Sequence, residues 1–295
     1  MSVRRYIIVF LFPIIAVSCE KPIDFKLDNA EPKLVVEAAI ENNTAPLVYL
    51  SRSLGYFSEL NPGILASSFV HNAEVYISNG VLTHKLKEYT ISAGGGYIFY
   101  YYSIDSSNLA TAFTGELNRN YSLRIVSEGK EYTATTLIPP VTKNIDSLYW
   151  KQAPSGNDSN KVSLMITATD PPGLGDYIRY FTKRNREPYY PGLNSVADDQ
   201  IIDGTTYTIP VDRGTDRTET SYDDEAYFDK GDTVTLKLCN IDKATFDFWR
   251  TMEFSYASVG NPFSSPIKVI SNMQGGALGY FGGYASQYRT IIIPR

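Results

Sequence analysis

Cys19 is the residue whose surroundings specify a reaction most closely. Arg4 and Arg5 precede an uncharged run from Tyr6 to Val17, and Ala16-Val17-Ser18 leads directly into the cysteine. A run of about 12 residues is well short of the roughly 20 that cross a bilayer as a helix, but it suits the apolar part of an export signal. Ala16–Cys19 has the form of a bacterial lipobox. There the thiol receives a diacylglycerol, the chain is cut before it, and the new amine takes a further fatty acyl chain such as palmitate. Each buried CH₂ contributes about 0.8 kcal/mol, so several chains anchor durably where one holds only marginally. Ordinary secretion, with Cys19 as a chance residue, is the plainer alternative.

A second group, Asp223, Asp224, Glu225, Asp229 and Asp232, crowds hard oxygen donors of the kind Ca²⁺ selects. Its spacing fits no EF-hand loop, and a solvated acidic turn accounts for it better. His71 and His84 flank a predicted hairpin strand and read as exposed strand or turn residues. Cys239 falls in a predicted strand with no histidine nearby, which suits a small buried or edge residue. No G-x-S-x-G elbow is present. The segment Gln274–Tyr284 interleaves glycines with aromatics but lacks the lysine of a phosphate loop. It reads as a sharply bent strand or bulge in the second half of the chain, with ligand binding a lesser possibility. Twenty-three tyrosines offer amphipathic contact area, yet tyrosine is also a preferred strand residue.

Composition narrows the classes further. The 295 residues carry 27 basic and 32 acidic side chains, two cysteines and two histidines. An acidic chain lacks the concentrated basic surface that nucleic acid needs. Two cysteines and two histidines exclude a disulfide scaffold and a multi-histidine metal centre, and no cofactor is expected. Cleavage before Cys19 would remove Arg4 and Arg5, leave 25 basic against 32 acidic residues, and leave Cys239 without a cysteine partner.

The elements that must position these groups are mostly strands. Residues 1–18 form the signal peptide, and 19–32 a lipidated tether reaching roughly 45 Å at about 3.3–3.6 Å per residue. Residues 33–140 are expected to form an immunoglobulin-like β-sandwich of about seven strands, and 141–295 a second β-rich domain with one or two short helices. Pro139-Pro140 supplies the boundary, because neither proline donates to a ladder. Val75 and Ile77 alternate before Asn79-Gly80, a two-residue hairpin signal. Tyr121, Leu123 and Ile125 lead through Glu128-Gly129 into Tyr132, Ala134, Thr136 and Ile138, a second hairpin. Val234, Leu236 and Leu238 face inward, which turns Cys239 the other way. One helix is expected over Ala244–Ser258, capped by Asp242, with Phe246, Trp249, Met252 and Tyr256 packed on the second domain.

Several segments in order resemble a family: Cys19–Phe25, Glu31–Val36, Ser51-Arg52-Ser53, Asp170-Pro171-Pro172-Gly173, and Gly260-Asn261-Pro262-Phe263 leading to Gly279–Gly282. Together they are similar to the domain-of-unknown-function 4249 family of Bacteroidota envelope lipoproteins. The resemblance implies a mainly β outer-membrane lipoprotein, encoded in many cases beside TonB-dependent nutrient transporters, with no catalytic residues to carry over. Glu20 and Asp24 are the only acids near the anchor that favour surface display, so both the cell surface and the periplasmic face stay open. The leading expectation is a noncatalytic component that binds a peptide or glycan nutrient or docks on a transporter. An envelope hydrolase with a carboxylate pair, and a structural or assembly lipoprotein, are the alternatives.

Overall fold

A computed structural model of the protein describes residues 31–295 except 56, 57, 60, 155–157, 217–225, 260, 262 and 266. Cys19, with the whole signal and most of the tether, lies outside the described residues, as do Asp223, Asp224 and Glu225. The first half runs through β1 (Leu34–Glu41), β2 (Leu47–Arg52), α1 (Pro62–Ser68), β3 (Glu74–Ser78), β4 (Thr83–Lys85), β5 (Lys87–Ser92), β6 (Ile98–Ser103), β7 (Arg119–Ser127) and β8 (Lys130–Ile138). The second continues through β9 (Asn144–Gln152), β10 (Lys161–Thr169), β11 (Tyr177–Arg184), β12 (Tyr190–Asp198), β13 (Thr206–Val211), β14 (Phe228–Asp229), β15 (Thr233–Ile241), α2 (Lys243–Ala257) and β16 (Leu278–Ile292). The protein is mainly β with two short α-helices, as the alternating pattern predicts. No helix among the described residues is long and apolar enough to cross a membrane.

An eight-stranded sheet in the order β12-β11-β15-β16-β1-β2-β6-β5 is the central layer. A β4-β3-β7-β8 sheet and a sheet of β13, β10, β14 and β9 complete the architecture. In the first half, Leu34, Val36, Ala38 and Ile40 of β1 pack with Val75, Ile77, Leu123 and Ile125 of the smaller sheet, which makes a sandwich. In the second, Val234, Leu236 and Leu238 pack with Val162, Leu164 and Ile166. Fully burying one such side chain is worth about 1.5–3 kcal/mol.

The chain does not part at Pro139-Pro140. The prolines follow β8, but β16 inserts between β15 and β1, pairing parallel with the latter from Val35↔Leu278 to Glu41↔Tyr284. Residues Pro32–Arg295 therefore form one unit across the expected 33–140 and 141–295 domains. The glycines of the Gln274–Tyr284 segment permit this close fit. Gly279 takes a φ of +95°, and a Cβ there would lie 1.9 Å from the Val36 carbonyl oxygen. One at Gly283 would lie 2.4 Å from the Leu137 carbonyl oxygen in β8.

Two turns show how local chemistry decides. Glu128 and Gly129 both adopt positive φ, 51° and 74°, and join β7 to β8 as a two-residue hairpin. Asn79-Gly80 does not. Pairing resumes at Ser78↔Thr83, because the Asn79 side chain accepts from the Val81 and Leu82 N–H groups and closes a wider loop. His84 also departs from expectation: it is fully buried, with Nδ1 2.9 Å from Thr111 Oγ1 and Nε2 accepting from the Asp105 N–H. His71 is exposed and lies 2.5 Å from Glu88.

Candidate functional site

Strand periodicity places Glu37, Ala39 and Glu41 of β1 on the face of the large sheet away from the core, because alternate residues share a face. Tyr280, Gly282 and Tyr284 of β16 lie beside them in register. Lys237 and Cys239 of β15, and Arg179 and Phe181 of β11, extend the same face. α2 covers part of it. Asp242 caps the helix by accepting from the Thr245 N–H at 2.8 Å, and its other oxygen accepts from Thr136 and Leu137 of β8 at 2.9 and 3.0 Å. One carboxylate thus starts the helix and ties it to the sandwich.

The helix buries Phe246 and Phe248, with Trp249 and Met252 packed against the same cluster. Tyr256, expected on this stripe, is 56% exposed. Phe248 takes its place by stacking on Tyr280 at 4.5 Å between ring centroids.

Between helix and sheet lies a cleft of about 320 Å³, lined by Glu37, Ala39, Arg179, Trp249, Tyr280 and Tyr284 among others. This is within the range of small-ligand pockets, roughly 300–1,000 Å³. The paired residues Ala39 and Gly282 keep part of the sheet surface here low. A Cβ on Gly282 would come within 2.9–3.1 Å of the Tyr280 and Tyr284 rings and the Thr245 methyl. A second recess of about 410 Å³ adjoins the cleft across Glu37, lined by Val35, Tyr49, Leu65, Phe69 and Phe99.

Arg179 is the best-braced charge in the cleft. It is only 3% exposed, and its guanidinium carbon lies 3.4 Å from the Trp249 ring centroid and 4.7 Å from that of Phe181. Such cation–π contacts contribute about 0.5–2 kcal/mol each, the upper end when desolvated. Its Nε donates to Ser195 Oγ at 3.1 Å, and that hydroxyl donates to Glu253 at 2.5 Å. Its Nη1 donates to the Tyr284 hydroxyl at 3.4 Å, which also accepts from Trp249 Nε1 at 3.1 Å. No carboxylate lies within ion-pairing distance of Arg179 among the described residues.

Glu37 faces it without touching it. Its side chain is exposed to solvent while lining the cleft. Desolvation raises its carboxyl above the ordinary glutamate value, and the Arg179 charge only partly offsets this. It has no hydrogen-bond or ion-pair partner among the described residues. Glu41, four residues along the same face, pairs with both Lys237 and the Tyr288 hydroxyl.

The acids singled out in the sequence are used differently. Asp229 pairs with Lys161 at 3.1 Å and Arg184 at 3.4 Å, and Asp232 accepts from Asn185 at 2.7 Å. Both serve to tie β10, β11 and β14 together. A trio that spacing did not reveal, Asp170, Asp176 and Asp199, brings one oxygen from each within 4.8 Å of the others. Oxygen donors so placed suit a hard cation. Here the Lys143 ammonium lies 2.9 Å from Asp170 Oδ1, with both side chains fully buried, so a fixed positive charge already sits in the group. Burial raises the Asp176 carboxyl, and the Asp170 and Asp199 charges add to this against the Thr142 hydrogen bond and Lys143. For Asp199 desolvation works the same way, but hydrogen bonds from the Asp176 and Gly175 N–H groups outweigh it and leave the carboxyl below its ordinary value.

Cys239 turns to the α2 side as expected, is fully buried, and lies 3.1 Å from Ser286 Oγ. Burial pushes its thiol up to about 11, which removes it as a nucleophile near neutral pH. Sequence reasoning missed Glu37 and Arg179. The available signal was parity, since Arg179 shares a strand face with Tyr177 and Phe181, and Glu37 with Glu41.

Fold and cleft define a mainly β protein whose largest sheet leaves a charged, aromatic-walled depression on its outer face. The chain belongs to the DUF4249 family, a domain of unknown function, whose profile matches residues 20–290. A search of the curated proteins finds no match.

Proposed function

We propose that the protein is a lipid-anchored binding component of the outer membrane, which captures a small nutrient on the open face of its large sheet and works beside a TonB-dependent transporter. The observation that supports binding is the cleft itself, a preformed depression whose central cation is braced by rings and hydroxyls. Preorganised groups of this kind hold a ligand at low ordering cost. The cleft-lining residues include no serine, threonine, cysteine or histidine, so a covalent hydrolytic route through such a nucleophile has no candidate among them. The anchor rests on Cys19 and its preceding Ala16-Val17-Ser18, and the transporter on the family resemblance.

The test takes native membranes, solubilises them gently and captures the tagged full-length protein. The reading expects acylated Cys19 by mass spectrometry of the mature N-terminus and an outer-membrane transporter in the captured material. A bare residue 19, or a protein that elutes alone from native membranes, overturns it.

A further inference from the structure

Of the four charged residues that line the cleft, Glu41 and Lys237 are paired, while Glu37 and Arg179, opposite in sign, are not paired with each other. Arg179 is almost wholly buried, where a charge acts more strongly than at a surface, whereas Glu37 lines the cleft with an exposed side chain. On the same strand face Glu41 shows the usual solution, a direct contact with Lys237. Glu37 lacks it, although Arg179 still has donors to spare: a guanidinium carries five N–H groups, and two hydrogen bonds from this one are seen.

Resting on the reading of this cleft as a ligand site, we infer that it takes a zwitterionic ligand, a free α-amino acid or a short peptide, with its ammonium on Glu37 and its carboxylate on Arg179. An anion alone would bind Arg179 against the field of Glu37, and a cation alone would bind Glu37 against Arg179. A ligand bearing both charges completes both. Carboxylate recognition by arginine is also directional, because the planar guanidinium offers parallel N–H groups.

A neutral sugar fits the same walls poorly. Sugars use exposed aromatic faces, and here the Trp249 face is taken by Arg179 at 3.4 Å and the Tyr280 face by Phe248 at 4.5 Å. Tyr280 and Tyr284 are each only 5% exposed. The recess on the far side of Glu37, with Val35, Leu65, Phe69 and Phe99 in its walls, suits an apolar side chain next to the ligand's ammonium.

The experiment is isothermal titration of the full chain in detergent with leucine, alanyl-leucine and leucyl-leucine, then N-acetyl-leucine, leucine amide, glucose and maltose. At least one of the three free zwitterions is expected to bind. Blocking either end of leucine is expected to weaken binding at least tenfold where leucine binds, and glucose and maltose to give no heat. Glu37→Gln is expected to lower affinity at least tenfold while the melting temperature does not fall. That control matters because Arg179→Lys, the companion variant, sits in the packed interior. Sugar binding, binding indifferent to Glu37→Gln, or silence from all three zwitterions overturns the inference. If the transporter still co-purifies in any of those cases, only the ligand assignment has failed; loss of that partner as well removes the underlying reading.

Discussion

Two places in this protein bring opposite charges together, and they handle them in opposite ways. At the ends of β9–β12, Lys143 and Asp170 are sealed from solvent and in contact at 2.9 Å, with Asp176 and Asp199 held by Thr142 and backbone N–H groups. On the outer face of the large sheet, Arg179 and Glu37 border a cavity and stay apart. The first arrangement is closed and joins loops; the second leaves interactions for something from outside. Burial alone therefore does not mark a functional charge. What marks it here is a braced, buried guanidinium with donors to spare, beside an unpaired carboxylate on the same open volume.

Breaking the closed site should have the largest effect. Lys143→Met strands a buried carboxylate and is expected to cost about 3–5 kcal/mol in urea unfolding, most of it recovered by adding Asp170→Leu. An unchanged midpoint in the single variant would show that the site is less sealed than the comparison requires. Next in size is the contrast within β1. Glu41→Gln removes the partner of Lys237 and Tyr288 and is expected to lose about 1–3 kcal/mol, whereas Glu37→Gln should raise the melting temperature at pH 7.

The sign of the Glu37 effect follows from linkage. Its carboxyl is raised in the folded state from an ordinary 4.5, so ionisation opposes folding as pH rises through that raised value. The gain from Glu37→Gln is expected to be present at pH 7 and to vanish below about pH 4. A loss at pH 7 would mean that Glu37 is paired after all.

Asp199 should behave in the reverse sense. Its carboxyl is lowered from 3.8, so its stabilisation is complete above that value and fades as pH falls through the lowered one. Asp199→Asn is expected to destabilise at pH 6, and the difference from the parent to shrink as pH falls below 3.8 toward the lowered value, as read by acid-dependent circular dichroism. The smallest effect concerns Cys239, which should resist maleimide at pH 8 for hours and react at once in denaturant. Rapid labelling of the folded chain would show that the α2 side of the sheet opens.

Much of the scaffold was legible from alternation and turn chemistry. The β7–β8 hairpin, the Asp242-capped helix and the orientation of Cys239 each follow from residues within a few positions of one another. What stayed hidden is non-local. Nothing near Leu278 announces that it pairs with Val35, so the two-domain division missed a strand shared across it. The cleft was hidden for the same reason: Glu37, Arg179, Trp249 and Tyr280 come from four separate elements, and none is unusual in its own. The glycine-rich tail carried the clearest clue, because its glycines mark close backbone approach, but only the fold shows what approaches.

The parallel pairing of β1 with β16 also sets an order of events. Asn42 accepts from the Ser286 N–H, a bond between residues 244 positions apart, so the middle of the large sheet stays incomplete until nearly the whole chain is present. A nascent polypeptide emerging from a ribosome or a translocation pore would hold β1 with one edge unsatisfied throughout. Chaperone capture of that edge, and misfolding when synthesis stalls before residue 278, are the expected companions of this topology.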